Sequence, residues 1–235
     1  MKHIVSSPSR TEQVYEQLKH SIADCSLAPG SHLIQEELAN IFAVSRQPIQ
    51  QALVLLKNDG LVVEHGARGL YVTPLDKDET IDRYDIRLLL DRFSIMQVCA
   101  KVKADTNFKD VVRRSLSKIL DEGKDALNSS NVSDAVEHDI AFHNAFYDLS
   151  GNSAIGKTAA PHWVFLKRVM HAVLLHAERG MLVWEQHNQI LEAAIQGDEE
   201  KCNLLVRDHV LGAQQALFAA IDSSLTAKSM FSFEK

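Results

Sequence analysis

Residues 31–73 read SHLIQEELANIFAVSRQPIQQALVLLKNDGLVVEHGARGLYVT. The pattern predicts two short helices and then a β-hairpin, with Leu38 and Ile41 facing inward from the first helix and a tight turn at Ala43-Val44. This order of elements is that of a winged helix-turn-helix, a fold that usually binds duplex DNA.

The second helix of this stretch has clear boundaries. Ser45 is a favourable N-cap, because its hydroxyl can accept a hydrogen bond from an otherwise unpaired backbone N–H. Pro48 lies in the first turn, where its missing N–H costs nothing. Gly60 is expected in the left-handed conformation that ends many helices. The residues of the predicted buried face recur at helical spacing: Ile49, Ala52, Leu53 and Leu56.

Two β-rich segments, residues 61–64 and 70–73, follow this helix. The segment HGARG at residues 65–69 joins them, and its glycines Gly66 and Gly69 stand where positive φ is expected. We interpret this hairpin as the wing.

The rest of the chain is predicted to be helical. One helix at residues 9–25 precedes the winged segment, and a short hinge at Pro74 to Asp78 follows it. The helices predicted beyond the hinge are 78–103, 107–129, 133–149, 153–178, 181–196 and 199–225. Six helices joined by short loops indicate an antiparallel bundle. The predicted fold is therefore mainly α, with a winged helix-turn-helix domain at residues 1–75 and an all-helical domain at 76–235.

Composition limits the class of protein. No apolar run approaches the ~18 residues of a membrane span, and the N-terminus lacks the apolar core of a secretion signal. The three cysteines, Cys25, Cys99 and Cys202, form no CxxC pair. They favour reduced thiols in a cytoplasmic protein over disulfides or a cysteine zinc cluster.

The charge distribution gives no support to DNA binding. Residues 1–75 hold six Lys/Arg and seven Asp/Glu, a net charge of −1, and the whole chain has a net charge of −6. Non-specific affinity for DNA comes mainly from neutralisation of phosphates. Binding would therefore require a local basic patch, used twice in a dimer.

One carboxylate and three imidazoles of the bundle are candidate metal ligands. Asp139 and His143 are four residues apart and share a helix face, while His187 and His209 lie at mid-helix between apolar residues. Imidazole suits zinc, nickel, iron or copper, and a carboxylate also admits manganese. We expect a divalent transition metal, zinc first, with nickel and manganese as alternatives. Four protein ligands would leave room for water or an anion in an expanded shell.

Each histidine also has a simpler interpretation as a hydrogen-bonded residue of the core. The spacing of four between an Asp and a His often arises by chance. His138, His171 and His176 lie in predicted helices too and are alternative ligands.

The sequence resembles a known family. SRQPIQQAL, NDGLV and RGLYV, with LAPGSHL before them, resemble the N-terminal domain of GntR-type bacterial transcription regulators. DIRLLLD, DIAFH followed by SGN, and HNQILEAAIQGD resemble the all-helical FCD domain of the FadR branch. Six helices favour its shorter, VanR-like subgroup.

The resemblance implies roles for both domains. Family members are homodimers that repress nearby operons and leave the DNA when an organic acid or a related metabolite binds. The domain at 76–235 would then bind the effector and form the dimer. Asp139, His143, His187 and His209 stand at the metal-ligand positions of the family. Arg87 stands where members often have an arginine facing the effector, and a guanidinium there could bind a small carboxylate in bidentate fashion. A surface ion pair with Asp85 or Asp91 is the alternative for Arg87.

The candidate DNA-binding residues match the family only in part. They are Ser45, Arg46, Gln47, Gln50, Arg68 and Gly69. Arg46 could contact guanine or a phosphate. Gln50 replaces a common arginine, which predicts a changed operator preference and the loss of one phosphate-neutralising charge. Gly69 fits a close approach to the minor groove beside Arg68, whose alternative is a solvated turn residue.

The sequence leaves two other functions open. A metal-dependent hydrolase could use the Asp/His site, but a catalytic zinc more often has three protein ligands and an open position beside a general base. We therefore expect no enzyme. A direct metal sensor, in which the ion itself is the signal, is the second alternative.

Overall fold

The computed structural model describes residues 8–66, 69–174 and 180–223. The chain divides into two compact units, one ending at Asp76 and one over Lys77–Ser223. The described residues contain nine helices and one two-stranded sheet, so the mainly α fold class is confirmed. None of the helices in the described ranges has both the length and the apolar character needed to cross a membrane.

The first unit contains three helices and a hairpin. Its elements are α1 (Arg10–Ala23), α2 (Gln35–Ile41), α3 (Arg46–Asn58), β1 (Val62–Glu64) and β2 (Leu70–Val72). The helix α1 begins at a capping box formed by Ser9 and Glu12, and it packs against α3. The strands pair antiparallel, with Val62 opposite Val72. This unit is a winged helix-turn-helix.

The expected buried face of α3 is confirmed, since Ile49, Ala52, Leu53 and Leu56 are all buried. Gly60 has a φ of 73°, and Gly66 and Gly69 in the wing also have positive φ, as the sequence predicted.

Two predictions about the first unit are wrong. Ile41 is 73% exposed, because the buried face of α2 is centred between Leu38 and Ala39, and Ile41 lies about 110° around the helix from that centre. Ser45 occupies the N-cap of α3, but its side chain accepts no capping hydrogen bond. The N-cap backbone is extended there, so α3 starts through its backbone conformation without help from the hydroxyl.

The second unit is a bundle of long helices. They are α4 (Lys77–Ala104), α5 (Phe108–Asn128), α6 (Val132–Ser150), α7 (Ser153–Leu174), α8 (Gly180–Ile195) and α9 (Glu199–Ser223). The predicted ends of α7 at 178 and of α9 at 225 lie outside the described residues. Within the bundle, α4 packs on α6 and α9, and α5 packs on α6 and α8.

Most of the bundle interior is apolar, but four helices bring polar side chains to one place inside it. The buried residues gathered there are Arg87 and Asp91 from α4, Asp139 and His143 from α6, His187 from α8 and His209 from α9. Burying charged groups is unfavourable unless they are paired. Such a cluster therefore marks the position where the bundle departs from a purely structural core.

Candidate metal centre and DNA-binding face

The four residues predicted as metal ligands converge in the bundle. Asp139, His143, His187 and His209 each offer one donor atom, and these atoms all lie within 4.8 Å of one another. His187 Nε2 is 3.3 Å from His209 Nε2 and 3.4 Å from Asp139 Oδ1. Three helices thus supply the donors, so the site depends on the packing of α6, α8 and α9.

The donor set fits a divalent ion. Two ligand atoms bound to one tetrahedral zinc at ~2.0–2.1 Å lie roughly 3.3 Å apart, close to the separations of His187 Nε2 from its two neighbours. Burial, and then the charges of His209, His143 and Arg87, hold the pKa of His187 well below its usual value. His187 is therefore neutral, which is the form of imidazole that binds metals. Asp139 Oδ2 is buried and has no hydrogen-bond partner among the described residues.

A second carboxylate orients one of the imidazoles. Asp91 Oδ2 lies 3.1 Å from His143 Nδ1, a close contact that falls short of hydrogen-bond geometry. Asp91 also accepts a hydrogen bond from the hydroxyl of Tyr147. A carboxylate behind a ligating histidine fixes the ring and its tautomer, leaving the other nitrogen for the metal. Asp91 thus lies beside Nδ1 of His143, while Nε2 of the same ring lies 3.9 Å from Asp139 Oδ2.

The electrostatics of Asp91 agree with this role. Burial alone would raise its pKa, but the charge and contact of His143, the guanidinium of Arg87 and the hydroxyl of Tyr147 outweigh burial and lower the pKa to about 2. Asp91 is therefore ionised. Asp91 was not among the site residues predicted from the sequence, although its spacing of four from Arg87 places both on one face of α4.

Arg87 is buried at the same cluster, with 2% of its surface exposed. Its Nη2 lies 2.6 Å from His143 Nε2 and 3.7 Å from Asp139 Oδ2, and its Nε lies 3.4 Å from Asp91 Oδ2. Burial would lower the pKa of Arg87, but the two carboxylates raise it. The alternative of a surface ion pair is therefore wrong: Asp91 is a partner inside the bundle, whereas Asp85 is exposed.

A cavity of about 90 Å³ opens beside these groups. Arg87, Asp139 and His209 reach its wall, and most of the remaining lining is apolar, including Trp184, Val183 and Leu217. The volume is enough for several water molecules or one small organic molecule. Polar groups that converge on one side of an apolar cavity are typical of a small-molecule site.

The alternative histidines lie elsewhere or are not described. His138 is partly exposed and faces Glu122 across 3.9 Å, while His171 is buried but is not part of the donor cluster. His176 lies outside the described residues. Among the residues that the structure describes, one cluster has metal-ligand geometry.

The candidate DNA-binding residues lie on the first unit. Arg46, Gln47 and Gln50 are exposed at the start of α3. Arg46 forms an ion pair with Glu36 of α2 at 2.8 Å, and both side chains are well exposed. Glu36 was not among the residues identified from the sequence, and its carboxylate pairs with the one cation at the start of α3.

The structure explains why residue 69 of the wing is a glycine. A Cβ on Gly69 would lie 2.7 Å from Nε2 of His32, and Gly69 has a φ of 115°. Both facts favour glycine without any reference to DNA. Arg68 lies outside the described residues.

Comparison with known proteins assigns the family. The model described as bacterial regulatory proteins, gntR family, matches residues 10–72, and the model of the FCD domain matches residues 82–212. The chain belongs to the GntR family of bacterial regulatory proteins. The expected combination of a GntR winged domain with an FCD domain is thus confirmed, and the VanR-like subgroup stays a prediction.

Proteins that are similar in sequence to this GntR-family chain over most of its length are named as regulators. The HTH-type transcriptional regulator BphR of Paraburkholderia xenovorans is 25% identical over 88% of this chain and 84% of its own length. The gluconate operon transcriptional repressor of Bacillus subtilis is 27% identical over 80% of this chain and 74% of its own length. The solved structure of McbR/YncC of E. coli superposes with a TM-score of 0.72 at 20% identity, over 91% of this chain and 99% of that one. The function is therefore transcriptional regulation through DNA binding.

Proposed function

We propose that the protein is a repressor of a metabolic operon, released from its operator when a small carboxylate binds beside a metal ion in the helical bundle. The observation that carries the proposal is the position of Arg87. Its buried guanidinium touches the donor cluster at the edge of the cavity. Arg87 Nη1 has no hydrogen-bond partner among the described residues.

Asp139, His143, His187 and His209 would hold the ion, zinc first, with nickel and manganese as alternatives. The ion would supply a Lewis-acidic anchor for one carboxylate oxygen of the effector. Asp91 keeps His143 oriented for this role through its contact with Nδ1.

The charges at the cluster favour a monoanionic effector. When all three histidines are in the neutral form that binds a metal, Asp91, Asp139 and Arg87 together carry one negative charge. A divalent cation would change this to one positive charge, and a monocarboxylate would then make the cluster neutral. Neutral, paired clusters are the arrangement that a low-dielectric interior tolerates best.

Arg87 would provide the second contact to the effector. In the structure its Nη2 faces His143 Nε2, the nitrogen that would bind the ion. With that nitrogen committed to the ion, the guanidinium is left to bind an anion in the cavity, where two parallel hydrogen bonds to a carboxylate are favourable. The cavity volume and its apolar wall favour a short apolar tail.

Binding in the bundle can change DNA affinity only if the effector prefers one of two arrangements of the protein. We propose that the functional form is a homodimer, because two winged units side by side contact two half-sites of one operator. Release then follows when the effector stabilises a dimer whose spacing does not match those half-sites.

The proposed binding to an operator is tested by fluorescence anisotropy. The duplexes come from the region upstream of the protein's own gene, and a shuffled duplex serves for comparison. Arg46→Ala is expected to weaken binding about tenfold or more per half-site, since one arginine contact with a base edge is lost. Glu36→Gln is expected to strengthen binding several-fold, because it releases Arg46 from its ion pair and removes a negative charge near the phosphates.

Glu37→Gln is the matched control, since Glu37 is an exposed neighbour of Glu36 on α2. It changes the net charge equally without touching the ion pair. Wild-type protein that bound upstream and shuffled DNA equally at moderate salt would refute operator recognition. Equal effects of the two glutamine variants would remove Glu36 as a specific partner of Arg46.

A further inference from the structure

The helix α4 carries an apolar stripe on its outer face. Ile86, Leu89, Phe93 and Met96 follow one another at spacings of three and four residues, so they share one side of the helix. All four are exposed, and Leu89 and Phe93 expose 62% and 49% of their surface. A continuous apolar stripe of this kind marks an interaction surface more often than isolated exposed residues do.

Charged residues of opposite sign continue this stripe at its two ends. Asp82 precedes Ile86 by four residues, and Lys103 follows Met96 by seven, so both extend the same side of α4. Asp82 makes no ion pair within the described part of the chain, whereas Lys103 bonds Glu199 at 2.8 Å. The polarity of the helix favours acids at its start and bases at its end. It does not account for the four apolar residues between them.

We infer that α4 pairs antiparallel with α4 of a second copy of this chain, through the stripe from Ile86 to Met96. This inference rests on the homodimer of the proposed function and assigns its interface. An antiparallel pair places the acidic start of each α4 beside the basic end of the other. A parallel pair would place like charges together. The two-fold axis then passes close to Phe93, which lies near the midpoint between Asp82 and Lys103.

The opposite face of α4 explains why this interface would be useful. Arg87 and Asp91 point into the bundle from the same turns of α4 whose outer side carries Leu89 and Phe93. A change at the metal and effector cluster therefore acts directly on the helix that joins the two copies. Interfaces between subunits are common sites of allosteric change.

Sedimentation velocity over a range of protein concentrations tests whether the stripe on α4 forms the dimer interface. Leu89→Glu and Phe93→Glu are expected to raise the dimer dissociation constant at least ~100-fold, because each places two carboxylates in an apolar contact. Val111→Glu is the matched control, since Val111 is an exposed apolar residue of α5. It is expected to leave the dimer unchanged. Circular dichroism checks that each variant keeps its helical content.

Cysteine cross-linking tests the direction of pairing, in a Cys25→Ser background that leaves only the buried Cys99 and Cys202. Phe93→Cys is expected to form a disulfide-linked dimer on oxidation with copper phenanthroline. Asp82→Cys alone is expected to form none, since its two copies would lie about 30 Å apart along an antiparallel pair. A mixture of Asp82→Cys and Lys103→Cys chains is expected to cross-link.

The possible outcomes separate the two proposals. Wild-type protein that stays monomeric at micromolar concentrations would overturn the homodimer itself. A stable dimer that is unaffected by both glutamate variants would overturn the α4 interface and leave the homodimer standing. Cross-linking of Asp82→Cys with itself would overturn the antiparallel direction.

Discussion

Replacement of His143 by alanine is expected to remove the metal from a protein that otherwise carries about one ion per chain. His143 supplies one of four donor atoms that lie within 4.8 Å of one another. Loss of this donor leaves three donors, which would have to bind the ion in an incomplete shell. Asp91 also loses its contact with Nδ1. The measurement is elemental analysis of purified protein after dialysis.

His138→Ala is the matched control. His138 lies on α6 five residues before His143 and is partly exposed beside Glu122, so its loss is expected to leave the metal content unchanged. Asp91→Asn is expected to keep the ligands but weaken metal affinity about 10- to 100-fold, as outer-shell changes do. Full metal content in both His143→Ala and His209→Ala would remove these residues as ligands. Comparison with chelator-treated wild-type protein separates metal loss from unfolding.

Gly123→Ala is expected to destabilise the bundle in spite of alanine's higher helix propensity. A Cβ at this position of α5 would lie 2.0 Å from Cη2 of Trp184 on α8. Alanine gains up to ~1 kcal/mol in a helix, but forcing extra volume into a packed core costs about 1–3 kcal/mol or more. Trp184 lines the cavity and packs edge-on against His187 with ring centroids 5.1 Å apart. Displacement of Trp184 is therefore expected to disturb the metal site as well.

Gly156→Ala provides the comparison within α7, because a Cβ there meets no atom within 4 Å. It is expected to leave the free energy of unfolding unchanged or raise it by up to ~1 kcal/mol. Thermal and urea unfolding of both variants, followed by circular dichroism, measure the difference. Equal stability of the two variants would contradict the close contact between α5 and Trp184.

The sequence predicted the positions of the helices and strands better than the burial and contacts of individual side chains. Helical periodicity located α4 to α9, because the long apolar faces of a bundle repeat regularly along the chain. The glycines of the wing and the buried face of α3 were also predicted, since each depends on local conformation or spacing. Ile41 was not, because an α2 of seven residues is too short for its periodicity to define the inward face. Ser45 holds the predicted N-cap position of α3, but its predicted side-chain hydrogen bond is absent, because a suitable residue at the N-cap does not by itself determine the contact of its side chain.

The sequence predicted the four residues that converge in the donor cluster, whose metal binding stays a prediction, but it did not predict the residues that surround them. Asp139 and His143 were recognisable as neighbours on one helix, but the convergence of His187 and His209 with them depends on how α6, α8 and α9 pack. Asp91 was missed because a carboxylate on an amphipathic helix is usually solvated, and only tertiary structure shows that it lies behind His143. The ion pair of Arg46 with Glu36 likewise depends on the turn between α2 and α3, which sequence spacing does not determine.

If occupancy of the bundle site controls DNA affinity, one anisotropy experiment detects that coupling directly. Labelled operator DNA is titrated with metal-free protein, zinc-loaded protein, and zinc-loaded protein with acetate, butyrate or benzoate, each compared with its neutral amide. At least one carboxylate, but not its amide, is expected to weaken DNA binding about 5- to 150-fold, the usual range of allosteric coupling, and to have no effect on His143→Ala. DNA affinity that changed with zinc alone would indicate a direct metal sensor. Affinity that stayed the same under every condition would contradict control by the bundle site.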